Sequence, residues 1–306
     1  MKTVFMSVEE GFLESPPNVY MTSKRLTHSL SGLVDLRLVH PSDYCINDMS
    51  IRMVYRREGE RLIPLGEHIT PSGDLFIIYG DETSKARGVD FGRKQYALLK
   101  RLQDLRRFNH FLNPPHAEEN TMKDMLVNLY AEGFTHIPFT AHFSGLWDLT
   151  ESLKEYSQLV AKPIFGCRGT GIRIIKTEQE AEDLAKRIDD LFKEYVFQEV
   201  LDGPEKRIVI LNRQLLCSRI HFERETPWRK SSSQRTEIYK PTQEEIEISI
   251  KLSERLGLTL AGIDFIGSKI NEINGTGTGL ALNDHNGNLL YDHTPNLVSF
   301  IMDLLK

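Results

Sequence analysis

The stretch AGIDFIG, Ala261–Gly267, is followed after Ser268 and Lys269 by INEING, Ile270–Gly275. Two apolar runs joined by a short Gly-containing link read as a pair of adjacent strands. Side chains alternate across a strand, so Glu272 and Asn274 share one face and Asp264 can lie opposite them on the preceding strand. Two carboxylates and an amide oxygen form a hard-oxygen set, suited to Mg²⁺ shared with nucleotide phosphates. Alone, the same residues also read as solvent-facing strand carboxylates. A glycosidase acid/base pair fits poorly, because a strand Glu-x-Asn beside a phosphate-type loop is not that arrangement. The following run, Gly275-Thr-Gly-Thr-Gly279, reads as a flexible loop.

Upstream, Arg207–Leu211 and Leu215–Arg219 flank a turn at Asn212-Arg213 and read as a hairpin of half-buried strands. Thr242-Gln-Glu-Glu245 is a capping box that opens a helix ending near Gly257. The polar stretch Glu223–Lys240, with Arg224, Arg229, Lys230 and Arg235, reads as a mobile loop. Further upstream, Leu159–Phe165 is a strand running into the glycine-rich GCRGTG, Gly166–Gly171, and Ile172–Ile175 returns beside it. Such a loop brings backbone N–H groups close to a phosphate. Glycine-rich hairpin turns without a ligand are equally common, but Lys162, four residues upstream, adds a charge partner. Ile172 stands where a Walker lysine would follow, and no helix opens from the loop, so neither a P-loop nor a dinucleotide fingerprint is present. Thr177–Glu180 is a second capping box, with Leu184, Ile188 and Leu191 as the apolar face of its helix. Tyr195-Val-Phe is a strand ending in Gln198-Glu199-Val200-Leu-Asp202-Gly203, a place suited to a hinge between lobes where a purine can bond to backbone, although most such strand ends bind nothing.

Asn113-Pro114-Pro115 interrupts the chain and marks a boundary, because proline restricts both itself and its predecessor. Before it, Thr3–Met6 and Leu75–Tyr79 read as buried strands, and Leu98, Leu99, Leu102 and Leu105 recur at helical spacing opposite a basic, solvated face. The alternation predicts an α/β unit over 1–112. Residues 52–71 fit neither pattern clearly, and Glu118–Ala131 reads as one helix. The 306 residues, 40% hydrophobic and 26% charged, allow about two domains or three lobes with a sizeable core. The 38 Lys and Arg against 43 Asp and Glu give a net charge of −5, which speaks against nucleic acid. Cys45, Cys167 and Cys217 lie in no zinc or disulfide spacing and read as reduced packing residues. No apolar run approaches the roughly 20 residues of a membrane helix, and MKTVFMSVEEGF turns acidic too soon for a signal peptide, so the expectation is a cytoplasmic protein without a membrane partner.

In this order, FLNPPHAEENTMKDML, VAKPIFGCRGTGI, FQEVLDG, EKRIVIL and AGIDFIG with INEIN resemble the ATP-grasp superfamily, especially its glutathione synthetase and ribosomal-protein glutamate ligase branch. The resemblance covers about residues 112–306. It implies an α/β (α+β ATP-grasp) fold: an N-terminal pre-ATP-grasp substrate domain over 1–112, a central lid lobe over 113–200 and a catalytic lobe over 201–306, with ATP clamped between two antiparallel sheets. Lys123 and Lys162 would contact ATP phosphates beneath a lid loop of Gly166, Gly169 and Gly171. Glu199 and Val200 would read the adenine edge, and Asp202 or Glu205 the ribose hydroxyls. Arg207 and Arg219 would steady the transferred phosphoryl group, and Asp264, Glu272 and Asn274 would hold two Mg²⁺ ions, with Mn²⁺ as a substitute.

The implied reaction is formation of an amide from a carboxylate and an amine through an acyl phosphate, with release of ADP and phosphate. The family often has Asp-Lys where this chain has Met122-Lys123, and Asp-x-Arg where it has Glu205-Lys-Arg207. In glutathione synthetase the 221–240 region is glycine-rich; here it is Arg- and Ser-rich, and Trp228-Arg229 looks more like ligases that tailor peptide natural products. The expected substrates are therefore a small-molecule or peptide acid and amine, with Arg224, Arg229 and Arg235 as partners for an anionic group. Alternatives are ester formation, ring closure within one substrate, and a nucleotide-binding regulator without ligase activity. The family is often dimeric or tetrameric, so a homo-oligomer is a further expectation.

Overall fold

Local signals set the element ends. Thr177 and Thr242 each accept a hydrogen bond from the backbone of the third helical residue, while Glu180 and Glu245 reach back to the threonine N–H groups. Both helices therefore begin where their capping boxes stand. Gly257, at φ 74°, ends the second in the left-handed region that glycine enters without a Cβ penalty. Asn212 and Arg213, at φ 47° and 66°, form the two-residue hairpin turn. The computed structural model describes residues 1–9, 11–15, 21–79, 89–165, 169–188, 191–222, 235–283 and 288–306.

The first sheet holds β1 (Thr3–Ser7), β2 (Asp35–Val39), β3 (Tyr44–Cys45), β4 (Ser50–Glu58), β5 (Arg61–Ile69), β6 (Gly73–Ile77) and β7 (Phe108–Leu112) in the order β3-β4-β2-β1-β6-β7, with β5 on β4. β2, β1, β6 and β7 are parallel. Alternation along β1 sends Val4 and Met6 to a core with Leu26 and Leu30 of α1 (Met21–Ser31), and Phe5 to a core with Leu98, Leu99 and Leu102 of α2 (Val89–Asp104). Leu105 does not join that core: α2 stops at Asp104, which leaves Leu105 39% exposed. The ambiguous 52–71 segment is largely the β4–β5 hairpin. β5 lies mostly in solvent and so lacks the apolar alternation that marks a strand.

The predicted helix over 118–131 is two helices, α3 (Pro115–Glu119) and α4 (Asp124–Ala131), with Lys123 at the N-cap of the second. Thr121 donates to the Glu118 carbonyl and closes the break. The second sheet is antiparallel, ordered β10-β9-β11-β8 from β8 (Thr140–Ala141), β9 (Leu159–Pro163), β10 (Arg173–Ile175) and β11 (Tyr195–Glu199). One face buries Leu159, Ala161 and Phe197 against α5 (Leu146–Tyr156) and α6 (Glu178–Arg187). The other face carries Lys162 and Gln198.

The third sheet, also antiparallel, runs β14-β13-β12-β15-β16, built from β12 (Glu205–Leu211), β13 (Gln214–Phe222), β14 (Arg235–Ile238), β15 (Leu260–Ile266) and β16 (Lys269–Asn274). Its apolar face, with Ile208, Ile210, Ile263 and Phe265, packs on Leu126 and Leu129 of α4 and on Leu252 and Leu256 of the helix Gln243–Leu256. The expectation of a loop over 223–240 is corrected at its end, because Arg235–Ile238 extends the sheet by pairing with β13. A hairpin of β17 (Ala281–Asn283) and β18 (Leu289–Asp292) follows, and the last helix, Thr294–Leu304, returns Leu297 and Ile301 to the α1 core.

Gly275–Gly279 is not a loose loop. Thr276 and Thr278 are fully buried; the Thr276 hydroxyl bonds to the Ile78 carbonyl and the Glu118 carboxylate, and Tyr79 donates to the Thr278 carbonyl. Gly275 is needed there, since a Cβ would overlap the Glu118 carboxylate. Among the described residues no helix is long and apolar enough to cross a membrane.

Candidate functional site

Arg219 on β13, Arg207 on β12, Asp264 on β15 and Glu272 on β16 stand directly opposite one another, strand to strand. Opposed residues share a face, so four charged side chains form one row across the third sheet. Asp264 is fully buried, with Arg207 4% and Arg219 6% exposed. Arg207 Nε and Nη2 donate to the two Asp264 oxygens at 2.5 Å each, a bidentate pair. Burial opposes the Arg207 charge, but Asp264 outweighs it, with Glu205 and Glu272 behind, so the guanidinium pKa stands above its ordinary value. Asn274 Nδ2 donates to Asp264 Oδ2 at 3.2 Å, and Glu272 lies 3.5 Å from Lys123 Nζ.

Lys162 faces this row from the second sheet. Its ammonium donates to Gln198 Oε1, and on the third sheet to Asn271 Oδ1 at 2.7 Å and the Asn271 carbonyl at 3.4 Å. Gln198 in turn donates to Thr140 Oγ1 at 3.1 Å. Burial lowers the Lys162 pKa to about 8, against the pull of Glu272 and with the help of Lys123. Asn271 reaches Lys162 because the β15–β16 register shifts after Asp264, pairing Phe265 with Ile270 and leaving Asn271 as the bulged residue.

Arg219 is anchored on two nitrogens. Nε donates to His221 Nε2 at 3.2 Å, while Nη1 donates to the Gly279 carbonyl at 3.1 Å and to the Tyr291 hydroxyl. Burial pushes the Tyr291 phenol pKa up, and Arg219 opposes that shift.

The other expected site residues divide by position. Glu199 closes β11, Val200 follows half-buried, and Asp202 is exposed. Gly169 and Gly171 have φ 73° and 79°, and a Cβ at Gly171 would come within 2.7 Å of Pro163, so this glycine also serves the packing of the hairpin. Gly166, Arg224 and Arg229 lie outside the described residues, and Arg235 begins β14. Sequence reasoning missed Gln198 and Asn271 as partners of Lys162, and His221 and Tyr291 as partners of Arg219. The only local hint was Gln198, two residues from Val196 on a strand and so on its face.

Among the described residues no three His, Cys, Asp or Glu side chains gather into a closed metal cage. Asp264, Glu272 and Asn274 offer hard oxygens, and Arg207 and Lys123 already neutralise the two carboxylates. Both Asp264 oxygens are already taken by Arg207, so a divalent cation at this set would draw most of its ligands from Glu272, the Asn274 amide oxygen, phosphates and water rather than from an enclosing protein cage.

Residues 128–282, half of the chain, match the model for the ATP-grasp domain of prokaryotic glutathione synthetase. The chain belongs to this ATP-grasp ligase family. It is 26% identical over 200 residues to tetrahydromethanopterin:alpha-L-glutamate ligase of Methanocaldococcus jannaschii, covering 60% of this chain and 68% of that protein. It is also 26% identical over 175 residues to glutathione synthetase of Mesorhizobium japonicum, covering 54% and 55%. A probable alpha-L-glutamate ligase of Coxiella burnetii is 26% identical over 148 residues, 47% of each chain. The chain thus spans about half to two thirds of these relatives. Among solved structures, the ATP-grasp ligase PsnB, complexed with a phosphomimetic variant of its minimal precursor, Mg and ADP, has a TM-score of 0.65 at 15% identity, covering 99% of this chain and 98% of that one. D-cycloserine synthetase DcsG has a TM-score of 0.66 at 11% identity, covering 99% and 100%. The ATP-grasp likeness therefore extends through the N-terminal sheet.

Proposed function

We propose that the chain is an ATP-dependent carboxylate–amine ligase. An acid oxygen attacks the γ-phosphorus of ATP, ADP leaves, and an amine displaces phosphate from the resulting acyl phosphate to form an amide. The observation that carries this is the row Arg219–Arg207–Asp264–Glu272, buried at its first three members and half-buried at Glu272, with the Lys162 ammonium of the second sheet set against the strand that carries Glu272. Such a row offers fixed positive groups to a phosphoryl group in transfer, with little reorganisation needed. Lys162 and Lys123 hold the nucleotide phosphates, Gly166, Gly169 and Gly171 cover them, and Glu199, Val200 and Asp202 take the adenosine. Asp264, Glu272 and Asn274 would hold Mg²⁺, as two ions, which supplies neutralisation of the phosphate charge. Arg207 and Arg219 orient the transferred group, and the second and third sheets, packed about the bound substrates, keep water from the acyl phosphate.

The division into 1–112, 113–200 and 201–306, a cytoplasmic location and a homo-oligomeric state belong to the same proposal. So does recognition of an acidic substrate group by Arg224, Arg229 and Arg235. PsnB was solved with a precursor peptide, and the named relatives are alpha-L-glutamate ligases and a glutathione synthetase, so amino acids and peptides are the substrate classes to supply. The test is release of ADP and phosphate with Mg²⁺-ATP, a panel of amino acids and peptides, and hydroxylamine, with products read by mass spectrometry. A substrate-dependent hydroxamate is expected. ADP formed together with a stable phosphorylated product, and no hydroxamate, would replace the ligase with a kinase.

A further inference from the structure

We infer that His221 and Tyr291 are positioning residues that lock the Arg219 guanidinium so that its Nη2 edge faces the γ-phosphate; this rests on the role proposed above for Arg219. Three contacts on two nitrogens fix the plane. His221 Nε2 accepts from Nε, and Tyr291 Oη and the Gly279 carbonyl accept from Nη1. Accepting at Nε2 requires a lone pair there, and Nδ1 lies 2.8 Å from Thr236 Oγ1, so the ring is held as the Nδ1–H tautomer with that proton on Thr236. Gly279 closes the Nη1 end of the guanidinium: a Cβ there would stand 3.2 Å from Nη1 and 3.4 Å from Nη2. Nη2 alone has no hydrogen-bond partner among the described residues. An arginine tied at Nε and Nη1 can present only its remaining N–H groups, and it presents them in one direction.

The second anchor has its own support. Tyr291 belongs to β18, and its neighbour Asp292 accepts from Arg25 of α1 at 2.7 Å. Thr22 of α1 accepts from the backbone of Leu280 and Ala281 at 2.9 and 3.1 Å, where that hairpin begins. The N-terminal helix thus steadies the hairpin that steadies Arg219. Nothing in the local sequence around Tyr291 marks this, since the bond to Arg219 spans 72 residues.

The experiment compares calorimetric affinities for Mg-AMPPNP and Mg-ADP in the full chain and in Tyr291→Phe, His221→Leu, His221→Gln and Arg219→Gln, with thermal midpoints as a check on folding. The expected result is a preference for Mg-AMPPNP in the wild type. That preference falls about tenfold in Tyr291→Phe and His221→Leu with Mg-ADP affinity unchanged, as for loss of about one oriented charged hydrogen bond. His221→Gln, which keeps an acceptor for Nε, retains the preference. A merely structural role would weaken both nucleotides alike, and that outcome overturns the inference. So does loss of the preference in Arg219→Gln alone, which leaves the proposed function standing. A wild type that binds neither nucleotide, or an Arg219→Gln that keeps the preference, removes the underlying role of Arg219 and the anchoring with it.

Discussion

Lys162 and Arg207 are both buried cations on facing sheets, yet burial leaves them in opposite conditions. Arg207 meets a carboxylate, Asp264, through two hydrogen bonds, and its pKa rises. Among the described residues Lys162 donates to amide and carbonyl oxygens of Gln198 and Asn271, and its pKa falls to about 8. Neutral acceptors satisfy the hydrogen-bonding capacity of an ammonium without repaying its desolvation. The third sheet therefore carries a charge already balanced, and the second sheet one that an arriving anion would relieve. A nucleotide phosphate is such an anion.

The largest test of this contrast is Asp264→Ala. Removal of the carboxylate leaves Arg207 buried and uncompensated, which is expected to cost about 3–5 kcal/mol in urea unfolding. A loss below about 1 kcal/mol would mean the pair is not the stabilised half of the comparison. Lys162→Met should behave in the opposite way. Relief of the buried charge and loss of its hydrogen bonds roughly offset, so stability is expected to stay within about 1 kcal/mol of wild type. Mg-ADP affinity, read by calorimetry, is expected to fall about a hundredfold, a loss of about 2.7 kcal/mol.

The two halves of the third sheet's row were legible because each is close in sequence, whereas the Arg207–Asp264 pair that joins them spans 57 residues. Glu272 and Asn274 are two apart, Asp264 lies on the adjoining strand, and Arg207 and Arg219 flank a hairpin whose turn residues are plain. Capping boxes likewise announced two helices. What was not legible depends on distant partners. The GTGTG run looked loose by composition, but Thr276 finds Glu118 and Ile78, 158 and 198 residues away. The Asn271 bond to Lys162 spans 109 residues and needs a bulge that no local pattern marks. β5 escaped because an exposed edge strand has no buried face to write into its sequence.

The pH dependence of nucleotide binding sharpens the comparison further. In the free protein Lys162 loses its proton as pH rises through about 8, and a phosphate then binds only after the proton is restored. Mg-ADP affinity is therefore expected to be level below pH 8 and to fall above it by up to about tenfold per pH unit. Lys162→Arg should level the profile, because a guanidinium does not titrate in that range. A profile that keeps its fall in Lys162→Arg would assign the titration to another group.

The smallest effect repeats the same contrast with neutral groups. Thr276 and Thr278 lie two apart and are both fully buried, but the Thr276 hydroxyl has two acceptors whereas the Thr278 hydroxyl has no partner among the described residues. A satisfied buried hydroxyl contributes about 1 kcal/mol, and an unsatisfied one contributes nothing or costs its desolvation. Thr276→Val should therefore lower stability by about 1 kcal/mol, while Thr278→Val, of nearly the same shape, should leave it unchanged or raise it slightly. Chemical denaturation of both variants under one condition reads the difference. Equal losses would mean that the buried Thr278 hydroxyl is satisfied in solution, and that partners rather than burial do not separate these two positions as they separate Lys162 from Arg207.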